Sequence, residues 1–243
     1  MTVLLISDLH LEPARPEIMR AFTRLLRGEA REAGAVYILG DLFDAWIGDD
    51  DDSALATAVA QELKLVARTG VEICFQHGNR DFLLGEAYAR RCGMRLLPEE
   101  FLLEAGNETI LLLHGDTLCT DDVDYQRFRA QSRDPDWQAA MLRQPLDARR
   151  ALAARARAES TIHTSTTPLA IMDVNEASVA NRMRSQGVTQ MIHGHTHRPA
   201  VHQYPDQRRR IVLAPWHDRG SALSLDSGEI AEIQLAFDTN DPP

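Results

Sequence analysis

Cysteine is scarce: Cys74, Cys92 and Cys119 are the only three in 243 residues, an odd number at wide spacings. That excludes a disulfide framework and a zinc knuckle, and it points to a reducing compartment. Positive charge is also in short supply. Lys and Arg number 26 against 36 Asp and Glu, for a formal net charge of -10. Such a chain is a poor general binder of nucleic acid, whose non-specific affinity rests on basic side chains meeting phosphates. Long apolar runs are missing as well. The N-terminal ten residues carry no basic n-region and no small-residue cleavage site. Their apolar stretch is strand length, far short of the roughly 20 residues that cross a bilayer. No internal repeat or low-complexity tract stands out. A cytoplasmic protein is expected, able to touch a membrane from the side.

The rest is the composition of a globular protein, 44% apolar and 26% charged, long enough to bury a substantial core. An acidic surplus also suits an enzyme whose carboxylates are offset by bound cations. Apolar runs alternate with helical periodicity. Residues 3–7, 35–39, 71–75, 109–113 and 189–192 read as strands, and 210–213, 221–225 and 230–235 as three more. Helices are predicted over 18–26 and 53–67, with Ser53 as N-cap. Between about 122 and 174 strand signals vanish. The segment is rich in Arg and Ala, broken by Pro135 and Pro145, and holds Arg143, Arg149, Arg150, Arg155 and Arg157. It reads as a helical cap inserted in a core of 1–121 and 175–243; outer helices with solvated Arg faces are the plainer alternative. The tail, 238–243, is expected to fray.

Each of the first five strands runs into metal-type residues: Ser7-Asp8-Leu9-His10, Gly40-Asp41-Leu42-Phe43-Asp44, Gly78-Asn79-Arg80-Asp81, His114-Gly115-Asp116 and Gly194-His195-Thr196-His197. Ligands of open α/β sheets gather beyond the carboxyl ends of strands, so five polar tips can converge. Two metals roughly 3.5–4 Å apart need a bridging carboxylate, imidazoles and neutral oxygen donors. Asp41 is the natural bridge. In Asp8-x-His10 and His195-x-His197, alternate residues of an extended segment face one side. Asp8, His10, Asp41, Asn79, His114, His195 and His197 form a mixed nitrogen and oxygen set that suits Mn, Fe, Zn or Co rather than Mg or Ca. A lone D-x-H or H-x-H is more often a structural or surface accident. Five fragments in order, each at a strand end, are a strong signal.

These blocks resemble the calcineurin-like metallophosphoesterase superfamily, whose pattern is D-x-H, GD-x-x-D, GN-H/R-D, a later G-H/D and GH-x-H. The resemblance implies a four-layer α/β/β/α sandwich. It also implies one metal on Asp8, His10, Asp41 and His197, and another on Asp41, Asn79, His114 and His195. Many members carry His after the Asn, as a proton donor; this chain has Arg80. A guanidinium cannot serve as general acid at neutral pH but can clamp phosphate oxygens bidentately. That favours a leaving group needing no proton, such as the phosphate expelled from a pyrophosphate.

The longer stretches 6–11, 40–50, 77–83, 114–121, 171–175, 192–199 and 215–217 resemble one branch of that superfamily. It comprises the pyrophosphatases of lipid A synthesis that act on UDP-2,3-diacylglucosamine. The resemblance implies hydrolysis at the α-phosphorus to UMP and 2,3-diacylglucosamine 1-phosphate, usually with two Mn²⁺, at the cytoplasmic face of the inner membrane. Catalytic roles fall on Arg80, Asn79 and His195, and substrate contacts on Asn79, Arg80, Asp122, Ser160, Thr164, Thr167 and His195. Thr164 stands where an amide is frequent and Thr167 where Lys is frequent. Arg157 or another cap Arg is a candidate for the missing phosphate partner.

Asp44, Asp81 and Asp116 are expected to orient ligands, or to do ordinary turn chemistry. The acidic run 49–52 is expected to cap the following helix. His77, His193 and His217 read as structural, and His163 and His202 as exposed. Trp46, Phe128, Trp137, Met141, Leu142 and Leu152 line an acyl-chain pocket or simply pack the cap. The cap Arg residues are candidates for anionic head groups at a membrane surface; a closed cap favours a monomer without an obligate protein partner. Rival readings are a family member acting on a soluble nucleotide such as a nucleotide sugar, a nuclease, which the acidic balance opposes, and a metal-free scaffold, which the complete ligand set opposes.

Overall fold

Successive residues of the central strands belong to different cores. On β1 (Val3–Ile6), Leu4 and Ile6 face one cluster and Leu5 the other; on β2 (Ala35–Leu39), Val36 and Ile38 oppose Tyr37 and Leu39. A strand buried on both faces must sit in an inner layer, because side chains alternate across the sheet. The computed structural model describes residues 1–237 apart from Leu169 and Ser227, and only the backbone of Thr161, His163, Thr164 and Ser165. The expectations for the tail 238–243 and the side chains of His163 and Thr164 therefore fall outside the described residues.

Two sheets form the middle. One has the order β11-β10-β1-β2-β3-β4, with β3 at Glu72–Gln76, β4 at Met94–Leu96, β10 at Arg219–Asp226 and β11 at Glu229–Ala236. The other runs β5-β6-β7-β9-β8, with β5 at Phe101–Ala105, β6 at Glu108–Leu112, β7 at Gln190–His193, β8 at Ala200–Gln203 and β9 at Arg209–Val212. Tyr37, Leu39 and Cys74 meet Leu103, Ile110, Leu112, Ile192 and Ile211 between the sheets. Helices cover both outer faces. Helix α1 (Pro16–Arg27) buries Ile18, Ala21, Phe22, Leu25 and Leu26, the i, i+3, i+4, i+7 stripe of a surface helix. With it pack α3 (Ala54–Ala67), after the short α2 (Glu29–Glu32), and α4 (Glu86–Cys92). On the far face, Leu111 and Met191 meet Val179 and Met183 of α8 (Glu176–Gln186). The result is the α/β/β/α sandwich.

The predicted strands and helices are present, with ends displaced by a residue or two. Ser53 caps α3 by accepting from Ala56 N at 3.1 Å. Helix α4 has no such signal in its own sequence. Its cap comes from another loop: Asp49 accepts from Gly85 N at 2.7 Å and Tyr88 N at 3.0 Å. The acidic run thus does not simply cap α3. Asp49 caps α4, Asp51 braces Ser53 through its N–H and hydroxyl, and Asp50 and Asp52 pair with Arg149 and Arg150. Strands β4, β5 and β8 carry no clear signal in the sequence because each lies at a sheet edge, where burial imposes little pattern.

Residues 122–174 hold α5 (Val123–Ser132), α6 (Pro135–Leu142) and α7 (Leu146–Thr166). Pro135 opens α6 at its first turn, where a missing N–H costs nothing. Among the described residues no helix is long and apolar enough to cross a membrane.

Candidate metal centre

β1, β2 and β3 run parallel in one sheet, and β6 and β7 in the other. Their carboxyl ends therefore collect on common rims, and the five motif loops leave from them. Backbone hydrogen bonds lace the loops: Asp8 N donates to Gly40 O at 3.1 Å, His10 N to Asp41 O at 3.0 Å and Gly194 N to His114 O at 2.8 Å. His195 N reaches across to Asp8 Oδ2 at 2.9 Å. Two approaches leave no room for a side chain. A Cβ on Gly78 would stand 2.1 Å from Asp41 Oδ1, and one on Gly194 would stand 2.2 Å from Asp8 Oδ2.

Asp8, His10, Asp41, His195 and His197 all hold left-handed backbone, with φ between 49° and 67°. Such a conformation costs a residue with a Cβ about 1–2 kcal/mol. Among the described non-glycine residues only Gln207 shares it. Strain concentrated on five motif residues marks a site whose surroundings over-determine its geometry.

The donor atoms fall into two groups. In one, His10 Nε2 lies 3.2 Å from His197 Nε2, which lies 3.4 Å from Asp8 Oδ1. Asp8 Oδ1 is buried and without a hydrogen-bond partner. In the other, Asn79 Oδ1 lies 3.0 Å from His114 Nε2 and 2.9 Å from His195 Nδ1. Asp41 stands between them, with Oδ2 3.8 Å from His10 Nε2 and Oδ1 3.7 Å from His114 Nε2. Donors held at about 2.0–2.2 Å by one transition-metal ion stand roughly 3–3.5 Å apart at angles near 90–110°. The spacing, the donor types and the unpartnered Asp8 oxygen fit a divalent cation in each group.

Charge points the same way. Burial drives His10 down to about 3 and, with the neighbouring His114, His195 down to about 4. Both are then neutral, the form in which imidazole ligates. Burial lowers His114 too, but Asp41 and Asp8 outweigh it and raise the ring to about 9. Burial, with Asp81 and Asp8, pushes Asp41 up against the pull of His114. Asp8 is held low despite its burial, by the surrounding imidazoles of His197, His114 and His10. Crowded buried carboxylates of this kind are what a bound cation stabilises.

Outer contacts orient these groups. His114 Nδ1 donates to Leu39 O at 2.8 Å, which leaves Nε2 free to ligate a cation. His217 Nε2 stands 3.1 Å from His197 Nδ1, within hydrogen-bond reach. Asp81 accepts from Leu42 N at 2.7 Å and Gly78 N at 2.8 Å, tying two motif loops together. Asp44 Oδ1 lies 3.8 Å from His10 Nδ1. Asp116 accepts from Tyr125 Oη at 2.7 Å and Arg129 Nε at 2.9 Å, and the Tyr125 ring lies 5.7 Å from that of His195. Arg133 Nη2 donates to Gly78 O at 2.9 Å, next to Asn79. Tyr125, Arg129 and Arg133 escaped the sequence reading; they sit on α5 and at its C-cap, and nothing local marks them as neighbours of the centre.

The other candidates are placed unevenly. Arg80 Nη2 donates to Ser160 Oγ on α7 at 3.2 Å, and its buried Nε has no hydrogen-bond partner. Asp122 caps α5, accepting from Tyr125 N at 3.0 Å. Arg157 pairs with Asp44 and lies 3.4 Å from Glu12 Oε2. Thr167 follows α7, half-buried. Trp46 is a core residue instead, 4% exposed, with its ring 4.2 Å from that of Tyr88.

Residues 1–199 match the family of calcineurin-like phosphoesterases. A UDP-2,3-diacylglucosamine hydrolase of Stenotrophomonas maltophilia is 51% identical over 238 residues, covering 94% of this chain and 96% of that one. One of Cellvibrio japonicus is 51% identical over 95% and 98% of the two chains, and one of Escherichia coli 49% identical over 98% and 100%. Among solved structures, an archaeal phosphodiesterase superposes with a TM-score of 0.51 at 14% identity, covering 97% of this chain and all of that one; that likeness speaks for the fold.

Proposed function

This chain belongs to the calcineurin-like phosphoesterase family, and from that we infer that it hydrolyses the pyrophosphate bond of UDP-2,3-diacylglucosamine to UMP and 2,3-diacylglucosamine 1-phosphate, in lipid A synthesis. The observation that carries the inference is 49–51% identity over nearly the full length of hydrolases of that name. In this reading one cation is held by Asp8, His10, Asp41 and His197 and the other by Asp41, Asn79, His114 and His195, with Mn²⁺ the proposed metal. Two such cations polarise phosphoryl oxygens and lower the pKa of water.

Arg80 supplies the protein's own share. Its guanidinium is charged at every physiological pH and planar, and its unpartnered Nε suits a phosphoryl oxygen. In-line displacement at the α-phosphorus develops charge on those oxygens, and a preorganised donor stabilises it. The sugar phosphate leaves as a stable anion and needs no acid. Ser160 holds the guanidinium from the cap side, which supports 122–174 as a cap over the centre. Asn79 and His195 bind at the same point. Asp122, Arg157, Thr164 and Thr167 are proposed to meet the substrate around it.

A substrate with two acyl chains lives in a membrane, and the surface of the helical segment suits such a place. Val123, Phe128, Leu142, Leu152, Ile162 and Ile171 are exposed large apolar residues within it. Arg127 and Arg155, each with a side chain 77% exposed, make only surface ion pairs, with Asp124 and Glu159, which anionic head groups can displace. We place the enzyme on the cytoplasmic face of the inner membrane, as a peripheral monomer. Co-sedimentation with anionic vesicles that weakens as salt rises is expected; a protein left wholly in the supernatant at low salt would count against membrane contact.

Metal-stripped protein given UDP-2,3-diacylglucosamine in micelles and ¹⁸O-water tests the reaction. Mn-dependent release of labelled UMP is the expected outcome. Label in the sugar phosphate would move the attack to the other phosphorus. Turnover of nucleotide sugars without acyl chains, and none of the lipid, would overturn the substrate.

A further inference from the structure

Behind the turn that carries His195 and His197 lies a polar chain, buried at His193 and Arg210 and reaching the surface at Glu176, that neither the ligand set nor the substrate contacts use. Arg210, on β9, is 2% exposed. Its guanidinium donates from Nε to Tyr204 Oη at 3.0 Å, from Nη2 to Glu176 Oε1 at 3.0 Å and from Nη1 to His193 Nε2 at 3.2 Å. Tyr204 Oη donates in turn to Glu176 Oε2 at 2.8 Å. A guanidinium has donors only, so His193 Nε2 must accept, and the ring proton belongs on Nδ1. That atom lies 2.9 Å from Gly194 O, a carbonyl that can only accept. Both ends of the imidazole therefore require the same tautomer.

The Gly194 carbonyl is the joint of the turn. It also accepts from Thr196 N at 2.8 Å, between His195 and His197, whose φ angles are 67° and 55°. The His193 ring is closely packed. It is fully buried, and a Cβ on Gly115 would stand 2.7 Å from its Nδ1.

We propose that Arg210 is a positioning residue for the metal centre: it fixes His193 in the Nδ1–H tautomer, so that His193 pins the Gly194 carbonyl and with it the strained turn that aims His195 and His197. The proposal rests on the reading of those two histidines as ligands. Removing an outer partner of a metal ligand typically weakens metal binding by about 10–100-fold.

The test measures Mn²⁺ dissociation constants for the full chain, Arg210→Met, His193→Asn and the double variant. An Asn amide keeps a donor near the position of Nδ1–H and needs no partner to set its protonation. Arg210→Met is expected to weaken Mn²⁺ binding by about 10–100-fold in the natural chain. In the His193→Asn background it should cost less than about threefold, because the two residues act as one unit. Equal costs in both backgrounds, or none in the natural chain, overturn the proposal. A long-range ¹H–¹⁵N spectrum of the natural protein gives a second reading that does not depend on any variant folding. The His193 proton is expected on Nδ1; a proton on Nε2 overturns the inference. Failure of the natural chain to bind Mn²⁺ removes the ligand reading and this inference with it. Tight binding unmoved by Arg210→Met removes this inference alone.

Discussion

Arg80 joins two roles that substitution can separate. Its backbone N–H donates to Asp41 Oδ1 at 2.8 Å and so supports the metal centre, while its side chain points to Ser160. Ala at this position keeps the first and loses the second. Arg80→Ala should therefore lower turnover by roughly 10²–10³, as losing an oxyanion donor does, with metal content near that of the natural protein. Elemental analysis beside the rate assay checks it; loss of metal would make Arg80 a support of the centre and not a phosphate clamp. The motif Gly-Asn-Arg-Asp already shows a guanidinium next to a ligand. It does not show that the side chain is met by Ser160, because nothing local announces a partner 80 positions along the chain.

Helix α7 begins with two adjacent arginines that look alike in the sequence and differ in the fold. The side chain of Arg149 is 3% exposed and donates to Ile47 O, to Gln144 O at 3.0 Å and to both oxygens of Asp50. Arg150 is 43% exposed and pairs with Asp51, Asp52 and Asp147. Exposed ion pairs contribute about 0–1 kcal/mol, whereas orphaning a buried carbonyl such as that of Ile47 costs about 1–3 kcal/mol. Arg149→Met should therefore loosen the seat of α7 and speed proteolytic cleavage within 122–174, while Arg150→Met leaves the rate within about twofold. Equal rates in the two variants would show that the buried contacts do not hold the helix down. The acidic run 49–52 was legible as a charge cluster. Its partners were not, since one of its carboxylates caps α4 and others reach α7.

The two sheets bring the carboxyl ends of five strands to one place and bury there more like charge than would be stable alone. Asp41 is pushed up by burial and by Asp81 and Asp8, and His114 is raised to about 9 by Asp41 and Asp8 despite its burial. The pair therefore holds a shared proton near neutral pH, since the ring is raised chiefly by an ionised Asp41, and that proton must leave before both groups ligate a cation. Adding Mn²⁺ to the metal-free protein in weak buffer at pH 7 should release protons and acidify the solution. The apparent affinity should rise with pH over the same range. An indicator dye in the titration reads the release directly, and proton uptake or pH-independent binding would remove Asp41 and His114 from the ligand set.

The strands and the motif residues at their ends were readable from order and spacing; the four-layer sandwich came with the family resemblance that those motifs carry. Short, nearly continuous apolar runs specify strands buried on both faces, and five ligand-type motifs at the ends of those runs specify convergence, because parallel strands share a carboxyl rim. Even the glycines of the motifs carry the reason for their presence, at Gly78 and Gly194, where a Cβ would strike a carboxylate. What no local pattern encodes is how distant segments meet. Asp49 caps a helix 36 residues away, Tyr125 and Arg133 lean from α5 onto the metal loops, and Arg210 reaches His193 through the core. Each of these contacts forms only once the sheets are stacked and the helices seated. Side-chain reach across a packed interface is set by three-dimensional proximity, and periodicity along a chain reports only the face a residue turns inward.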